Sequence, residues 1–390
     1  MRYDSACPNP SVPPSSIAFI TNICPHYRVQ TFETLAKHYA VKYYFFSKGS
    51  EWYWTKKHRV RLGNFEGEYL YGAKRGQLAV LPALLKKLWT QDCDVIIKCI
   101  NGKVILSAAY IVARLRRKPF VLWTGVWQTL QTPFHRLIFP ATRFIYRHSD
   151  AIVVYGEHVK RYLIGQGVEP SKVFVARHAV DNQLYSSPIA DRELCRLRER
   201  LHLERTDRLI LYVGRLEEEK GVPYLIHAFE KLHLSGSILL LVGDGREKEH
   251  LQRLARERGV ESNVRFLGYV SPEEMTSYYA LSYVLVLPSI STSRTKEPWG
   301  LVVNEAMNQG LPVISTEAVG AAAGGLIQDG VNGFVLAERN SDMLAASLSR
   351  ILTDPELRDR MSHNARKTIA DWNNERMVAG FREAIAFVLR

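Results

Sequence analysis

Short apolar runs alternate with stretches of helical character along almost the whole chain, and this alternation leaves few folds open. In the first half the apolar runs are Ile17–Asn22, Lys42–Phe46, Val95–Cys99, Phe120–Trp123, Ala151–Tyr155 and Val173–Ala176. In the second half they are Leu209–Val213, Ile238–Gly243, Val264–Gly268, Tyr283–Pro288 and Pro312–Thr316. Charged, helix-favouring segments lie between them, the pattern of parallel strands linked by crossover helices. The polar, turn-rich stretch DNQLYSSPIAD at 181–191 separates the two series. The expectation is an α/β chain with two Rossmann-like lobes, residues 17–182 and 183–373, facing a central cleft. Residues 1–16, rich in Pro and Ser, read as a mobile tail. At 390 residues the length fits two large domains at about 150 residues each.

Charge divides the chain in the same way. The net charge is +13. Residues 1–180 carry 26 Lys+Arg against 10 Asp+Glu, and residues 181–390 carry 26 against 29. The basic excess is therefore confined to the first half and points to an anionic partner there. No run of 18 apolar residues and no secretory pattern stands out. The five cysteines are scattered and odd in number, which fits a reducing compartment better than a disulfide framework. These features lead to the expectation of a cytoplasmic protein.

The motif content excludes several chemistries. There is no GxxxxGK[ST] loop, no HExxH helix and no GxSxG elbow. VGDGREK begins like a dinucleotide fingerprint but lacks its third glycine, and reads as a strand-ending turn. Asp92 and Asp94 form a DxD triplet that a divalent cation can bridge, but their position before an apolar run is also that of an ordinary polar turn. No metal site is expected.

Two loops carry more. In GRLEEEKG, at the end of a strand, Arg215 and Lys220 are placed to converge on a diphosphate; alternatively they pair with Glu217, Glu218 and Glu219 on the surface. In EPWGLVVNEAMNQGLPVIST, Glu297, Gly300 and Glu305 precede or enter a helix expected over 300–309. Gly300 allows close backbone approach, the amides of Leu301 and Val302 open the helix, and Glu305 lies within reach of ribose hydroxyls. The two acids also suit plain helix-dipole complementation.

These runs, with LYVGRLEEEKGVPYLIHAF, LLLVGDGREKEHL, VRFLGYVSPEEM, GLIQDGVNGFVL and LRDRMSHNARKTI, resemble the donor domain of GT-B glycosyltransferases, specifically the retaining enzymes of family 4. The Glu-x7-Glu element from Glu297 to Glu305 is the most specific part. The resemblance implies transfer of a sugar from a nucleotide-diphosphate sugar, UDP or GDP, without a metal or other cofactor. It implies that Arg215 and Lys220 hold the diphosphate and Glu305 the ribose. It places Glu297 at the donor sugar, the amides of Gly300, Leu301 and Val302 at phosphate or sugar, and the backbone near Tyr269 and Val270 at the base. It also implies that residues 374–390 return to pack on the first lobe.

The first half departs from the family pattern. TNICPHYRVQTF replaces the usual Gly-Gly turn, leaving Arg28 as a phosphate or acceptor contact or as a solvated helix residue. LWTGVWQTLQT has no histidine where relatives carry one, and His135 reads as helical. Trp123 and Trp127 are candidates for stacking on the acceptor, with core packing as the other role. ARLRRKPF, FHRLIFPATRFIYRH and the cluster Trp52, Tyr53, Trp54, Lys56, Lys57 and Arg59 mix cations with large apolar side chains. That mixture suits an anionic membrane surface and a lipid-linked or glycan acceptor, rather than nucleic acid. A soluble epimerase or phosphorylase on the same architecture, or a non-catalytic sugar-nucleotide-binding protein, are the alternative functions.

Overall fold

The computed structural model describes residues 15–47, 63–70 and 77–390. Residues 1–14 of the expected tail and the cluster Trp52, Tyr53, Trp54, Lys56, Lys57 and Arg59 lie outside the described residues. Two parallel sheets organise the chain, as the alternation requires. The first is built from β1 (Ser16–Thr21), β2 (Ala40–Phe45), β3 (Glu66–Tyr69), β4 (Val95–Cys99), β5 (Phe120–Thr124), β6 (Ala151–Val154) and β7 (Val173–Val175), in the order β3-β2-β1-β4-β5-β6-β7. The second holds β8 (Arg208–Val213), β9 (Ser237–Val242), β10 (Val264–Gly268), β11 (Val284–Leu287), β12 (Val313–Thr316) and β13 (Gly333–Leu336), in the order β10-β9-β8-β11-β12-β13. The central strands β4, β5 and β9 are buried along their whole length, which explains their continuous apolar runs.

Several elements differ from expectation, β13 among them, since no strand was expected over Gly333–Leu336. The strand β3, EGEY, has no apolar run; it is an edge strand held by pairing with β2 rather than by burial. The expected linker at 181–191 contains a short helix, Asn182–Ser186, capped by Asp181, whose carboxylate accepts from the Gln183 and Leu184 amides.

The chain divides into two compact units: residues 1–123, 148–152 and 382–390, and residues 124–147 and 153–381. These divisions differ from a single boundary at 182/183. Three side chains before that boundary fall within the second unit: Trp127, Gln128 and His158 bond to carbonyls of Glu297, Thr292 and Pro298. At the other end, Arg382 belongs with the first unit and hydrogen-bonds Tyr39.

Within the first unit, Lys98 of β4 is fully buried. Its ammonium donates to the Cys99 and Asn101 carbonyls and lies 4.7 Å from the Phe46 ring centroid. Burial pushes its pKa down to about 7. Because this lies below the unfolded value of about 10.4, stability rises with pH between the two, and the cost of burying the charge is fully present below about pH 7. Urea titrations at several pH values should therefore show wild type gaining stability relative to Lys98→Met as pH rises from 7 to 10. A pH-independent difference would contradict the burial cost.

Candidate functional site

The site begins with strand order. β8 and β11 are parallel neighbours, and the chain reverses its direction of sheet growth between them, so their following loops emerge side by side. Gly221 ends the first loop with φ of 65°, and a Cβ there would lie 2.1 Å from the Pro288 carbonyl oxygen. Only glycine allows this approach. The Ile290 amide then donates to the Glu219 carbonyl at 2.9 Å, joining the loops.

This contact brings Lys220 onto Glu297, with both side chains 13% exposed. Arg215 pairs with Glu219 at 2.9 Å, and Glu217 receives Arg246 from the loop after β9 at 2.8 Å. The choice left open by the sequence, convergence or local pairing, is thus divided. Arg215 has a local acidic partner, whereas Lys220 reaches across 77 residues to Glu297. Arg246, read in the sequence only as part of a turn, joins the cluster. These cations and carboxylates stand at the carboxyl ends of adjacent strands, where a diphosphate can exchange for a carboxylate partner.

Gly300 follows, with φ of 89°; a Cβ would meet the Leu287 side chain at 2.6 Å. This left-handed residue delays the helix, which runs Val302–Asn308 rather than over 300–309, with Leu301 flanking it. Glu305 sits inside that helix and is 9% exposed. The Tyr279 hydroxyl donates to its Oε2 at 2.6 Å. Burial raises the Glu305 carboxyl to about 6, against the lowering effect of hydrogen bonds from Tyr279 and Tyr185. Tyr269 is exposed and Val270 half-buried just beyond β10.

Beneath the Glu297 loop lies an aromatic cluster. Trp299 is 2% exposed and packs 5.1 Å from Trp372, 5.8 Å from His158 and 5.9 Å from His178, centroid to centroid. Its indole donates to Asn304 Oδ1 at 2.8 Å, and Asn304 Nδ2 donates to the His178 carbonyl at 2.9 Å. His158 Nε2 donates to the Pro298 carbonyl at 3.3 Å, and burial pushes that imidazole down to about 4. His158, Tyr185 and Tyr279 were not singled out in the sequence. Their positions depend on long-range packing, and no spacing along the chain signals them.

The acceptor-side candidates are placed differently from expectation. Trp123 is buried at 3% exposure, its ring under the Arg28 guanidinium at 4.7 Å and edge-on to Phe19, so its role is packing rather than stacking on an acceptor. Arg28 is itself buried, which removes the solvated reading. Trp127 braces the Glu297 loop: its indole donates to the Glu297 carbonyl at 2.9 Å, and Lys296 Nζ lies 3.9 Å from its ring centroid. His135 is helical, as read from the sequence. Asp94 bonds Ser16 and Asp92 faces Lys118, both at the amino end of β4 and away from the strands' carboxyl ends. Among the described residues no group of three or more acidic, His or Cys side chains forms a metal-binding cluster.

Two family models cover most of the chain. Glycosyltransferase Family 4 matches residues 33–184, and Glycosyl transferases group 1 matches residues 196–368, which contain the loops above. The chain belongs to the family 4 glycosyltransferases. This family 4 chain is 30% identical over 207 residues to an uncharacterized glycosyltransferase of Methanocaldococcus jannaschii, covering 52% of the chain and 51% of that protein. It is 28% identical over 267 residues to alpha-D-kanosaminyltransferase of Streptomyces kanamyceticus, covering 66% of the chain and 67% of that protein. The chain thus spans about half the length of the first of these relatives and two thirds of the second. Anabaena HepE, solved with UDP and glucose, superposes with a TM-score of 0.76 at 21% identity, covering 95% of the chain and 99% of that structure. The lipopolysaccharide glycosyltransferase WaaG gives a TM-score of 0.71 at 19% identity, covering 95% and 99%. Both show the GT-B fold.

Proposed function

We propose that the chain transfers a sugar from a nucleotide-diphosphate sugar to an acceptor hydroxyl with retention of anomeric configuration. The observation that carries this reading is the Lys220–Glu297 pair, formed where the loops after β8 and β11 meet. As the bond from the anomeric carbon to the diphosphate oxygen breaks, its electrons go to the diphosphate, the acceptor oxygen bonds the anomeric carbon on the same face, and the hydroxyl proton passes to the departing diphosphate oxygen. Lys220 and Arg215 stabilise that growing charge, and a preorganised cation in a partly desolvated site is worth several kcal/mol there. The incoming diphosphate takes Lys220 and leaves the Glu297 carboxylate to face the sugar, which gains positive charge. Glu305 takes the ribose hydroxyls, the amides of Gly300, Leu301 and Val302 meet phosphate or sugar, and Tyr269 and Val270 border the base. This arrangement requires no metal, and UDP and GDP conjugates are the donors to try. A thermal-shift screen of UDP-, GDP- and ADP-sugars tests it: one nucleotide should raise the melting temperature, by linkage worth about 2.7 kcal/mol at a hundredfold excess over Kd. No shift with any of them would contradict the reading, and turnover requiring only phosphate would point to a phosphorylase.

The acceptor we favour is a lipid-linked sugar or glycan at an anionic membrane surface. No helix among the described residues is long and apolar enough to cross a membrane. The helix Pro133–His148, however, exposes Phe134 (59%), Leu137 (80%) and Phe144 (52%) along one stripe. Its sequence contains Arg136, Arg143 and Arg147 and no acid. An apolar stripe with cations along one side, of which Arg143 and Arg147 also donate to the Gln166 carbonyl, suits the headgroup boundary of an anionic bilayer. The chain should co-sediment with phosphatidylglycerol vesicles, and far less with phosphatidylcholine. Leu137→Glu with Phe134→Ser should weaken binding about tenfold or more, since each buried apolar side chain contributes roughly 1.5–3 kcal/mol. Equal binding by the variant would contradict the assignment of this helix.

A further inference from the structure

We infer that Tyr279 and Tyr185 are positioning residues for Glu305, holding its carboxylate oriented and ionised for the vicinal hydroxyls of the donor's ribose. The inference rests on the proposed role of Glu305 in donor binding. It begins with an electrostatic difficulty. A carboxylate almost wholly removed from water is costly to keep charged, and it accepts well from hydroxyls only while it is charged. The chain supplies two phenols. Tyr279, on the helix Pro272–Leu281, donates to Oε2 at 2.6 Å. Tyr185, on the helix Asn182–Ser186, supports the same carboxylate. Both phenols are buried and both are held protonated, their own ionisation pushed well up by desolvation and by Glu305. They therefore act as donors at any working pH.

The Tyr279 hydrogen bond, with Tyr185 beside it at a ring-centroid distance of 6.4 Å, leaves acceptor capacity unused. An ionised carboxylate offers about four lone-pair sites. Tyr279 and Tyr185 occupy up to two, and the remainder match the two donors of a ribose diol. The phenols also restrict rotation of a side chain that would otherwise have to be ordered when the donor arrives.

Among the described residues, no cation joins the tyrosines in acting on the Glu305 carboxylate. The helix carrying Glu305 packs against the helices Asn182–Ser186, Pro272–Leu281 and Pro355–Ile369 and against β12. The first two bring Tyr185 and Tyr279, with Asp181 and Glu273 near Tyr185 adding negative charge. From the third, Arg366 donates to the Gln309 carbonyl, beyond the end of the helix. β12, VIST, contributes no titratable side chain.

The test is the pH profile of donor binding by calorimetry, with UDP-glucose and GDP-mannose as probes, using whichever binds more tightly. Their phosphates are diesters and carry no group that titrates near pH 6. Wild-type affinity should fall below about pH 6, as Glu305 takes up a proton. In Tyr279→Phe the midpoint should move up by about one unit, so that binding is roughly fivefold weaker at pH 6, approaching tenfold near pH 5, and within about twofold of wild type at pH 8. Tyr185→Phe should shift it in the same direction by less. KM for the donor should rise while kcat at saturation changes little. A profile for Tyr279→Phe that superposes on wild type would overturn the inference. Glu305→Gln separates it from the reading beneath it. If that variant weakens donor binding and abolishes the acid limb, Glu305 is in place and the phenylalanine variants decide the inference. If Glu305→Gln binds donor as wild type does, or neither probe binds the wild type, the ribose assignment fails and the inference with it.

Discussion

Replacing Lys220 with alanine should lower the rate of sugar transfer by two to three orders of magnitude while leaving the fold intact. The loss of rate follows from removing a preorganised cation at the departing diphosphate, an effect of about 3–4 kcal/mol on the barrier in comparable sites. The same substitution leaves Glu297 behind, 13% exposed and without its partner. Breaking a buried pair on one side costs about 3 kcal/mol of stability, most of it the desolvation of the remaining charge. The two effects are separable. Adding Glu297→Gln to Lys220→Ala should restore most of the lost stability, since the stranded charge is gone, but none of the activity. Urea unfolding and donor turnover on the single and double variants check this. A double variant that regains activity would mean that Lys220 acts only by holding Glu297.

Trp299→Ala should produce the largest loss of stability of any substitution near the site. Trp299 is 2% exposed and lies between Trp372, His158 and His178, and its indole hydrogen bond ends on Asn304. Truncating a buried tryptophan costs about 3–5 kcal/mol, of which the cavity is a part. In a unit of this size that lowers Tm by about 10 °C. The Glu297 loop should suffer as well, because Trp299 is two residues from Glu297 and begins the turn at Gly300. Trp299→Phe keeps the ring contacts and loses the Asn304 bond, so its cost should be about half. Differential scanning calorimetry orders the three proteins. An alanine variant within 2 °C of wild type would contradict the view that this cluster carries the loop.

Much of the second sheet's candidate site was legible because its elements are contiguous in local sequence. A strand, a basic loop and a helix start are contiguous along the chain, so Arg215, Lys220, Glu297, Gly300 and Glu305 could be named from spacing and resemblance. Strand order then brought Lys220 to Glu297. What the sequence hid is long-range. Tyr279 and Tyr185 reach Glu305 from two other helices, and His158 and Trp127 hold carbonyls of the Glu297 loop from more than 100 residues away. Trp123 shows the opposite failure: its place beside the family's acceptor loop suggested a ligand contact, but its ring is inside the core with Arg28 on it. An aromatic side chain looks the same in sequence whether it faces solvent or a neighbouring ring. The edge strand β3 was missed for a related reason, because pairing rather than apolar burial defines it.

The most direct test of the donor-site account is a crystal structure of the chain with the nucleoside diphosphate that stabilises it best. The account predicts diphosphate oxygens within hydrogen-bonding distance of Lys220 and Arg215, the ribose hydroxyls on Glu305, and Glu297 released from Lys220. A nucleotide bound elsewhere, or one at this site with the Lys220–Glu297 pair intact and its ribose away from Glu305, would contradict it.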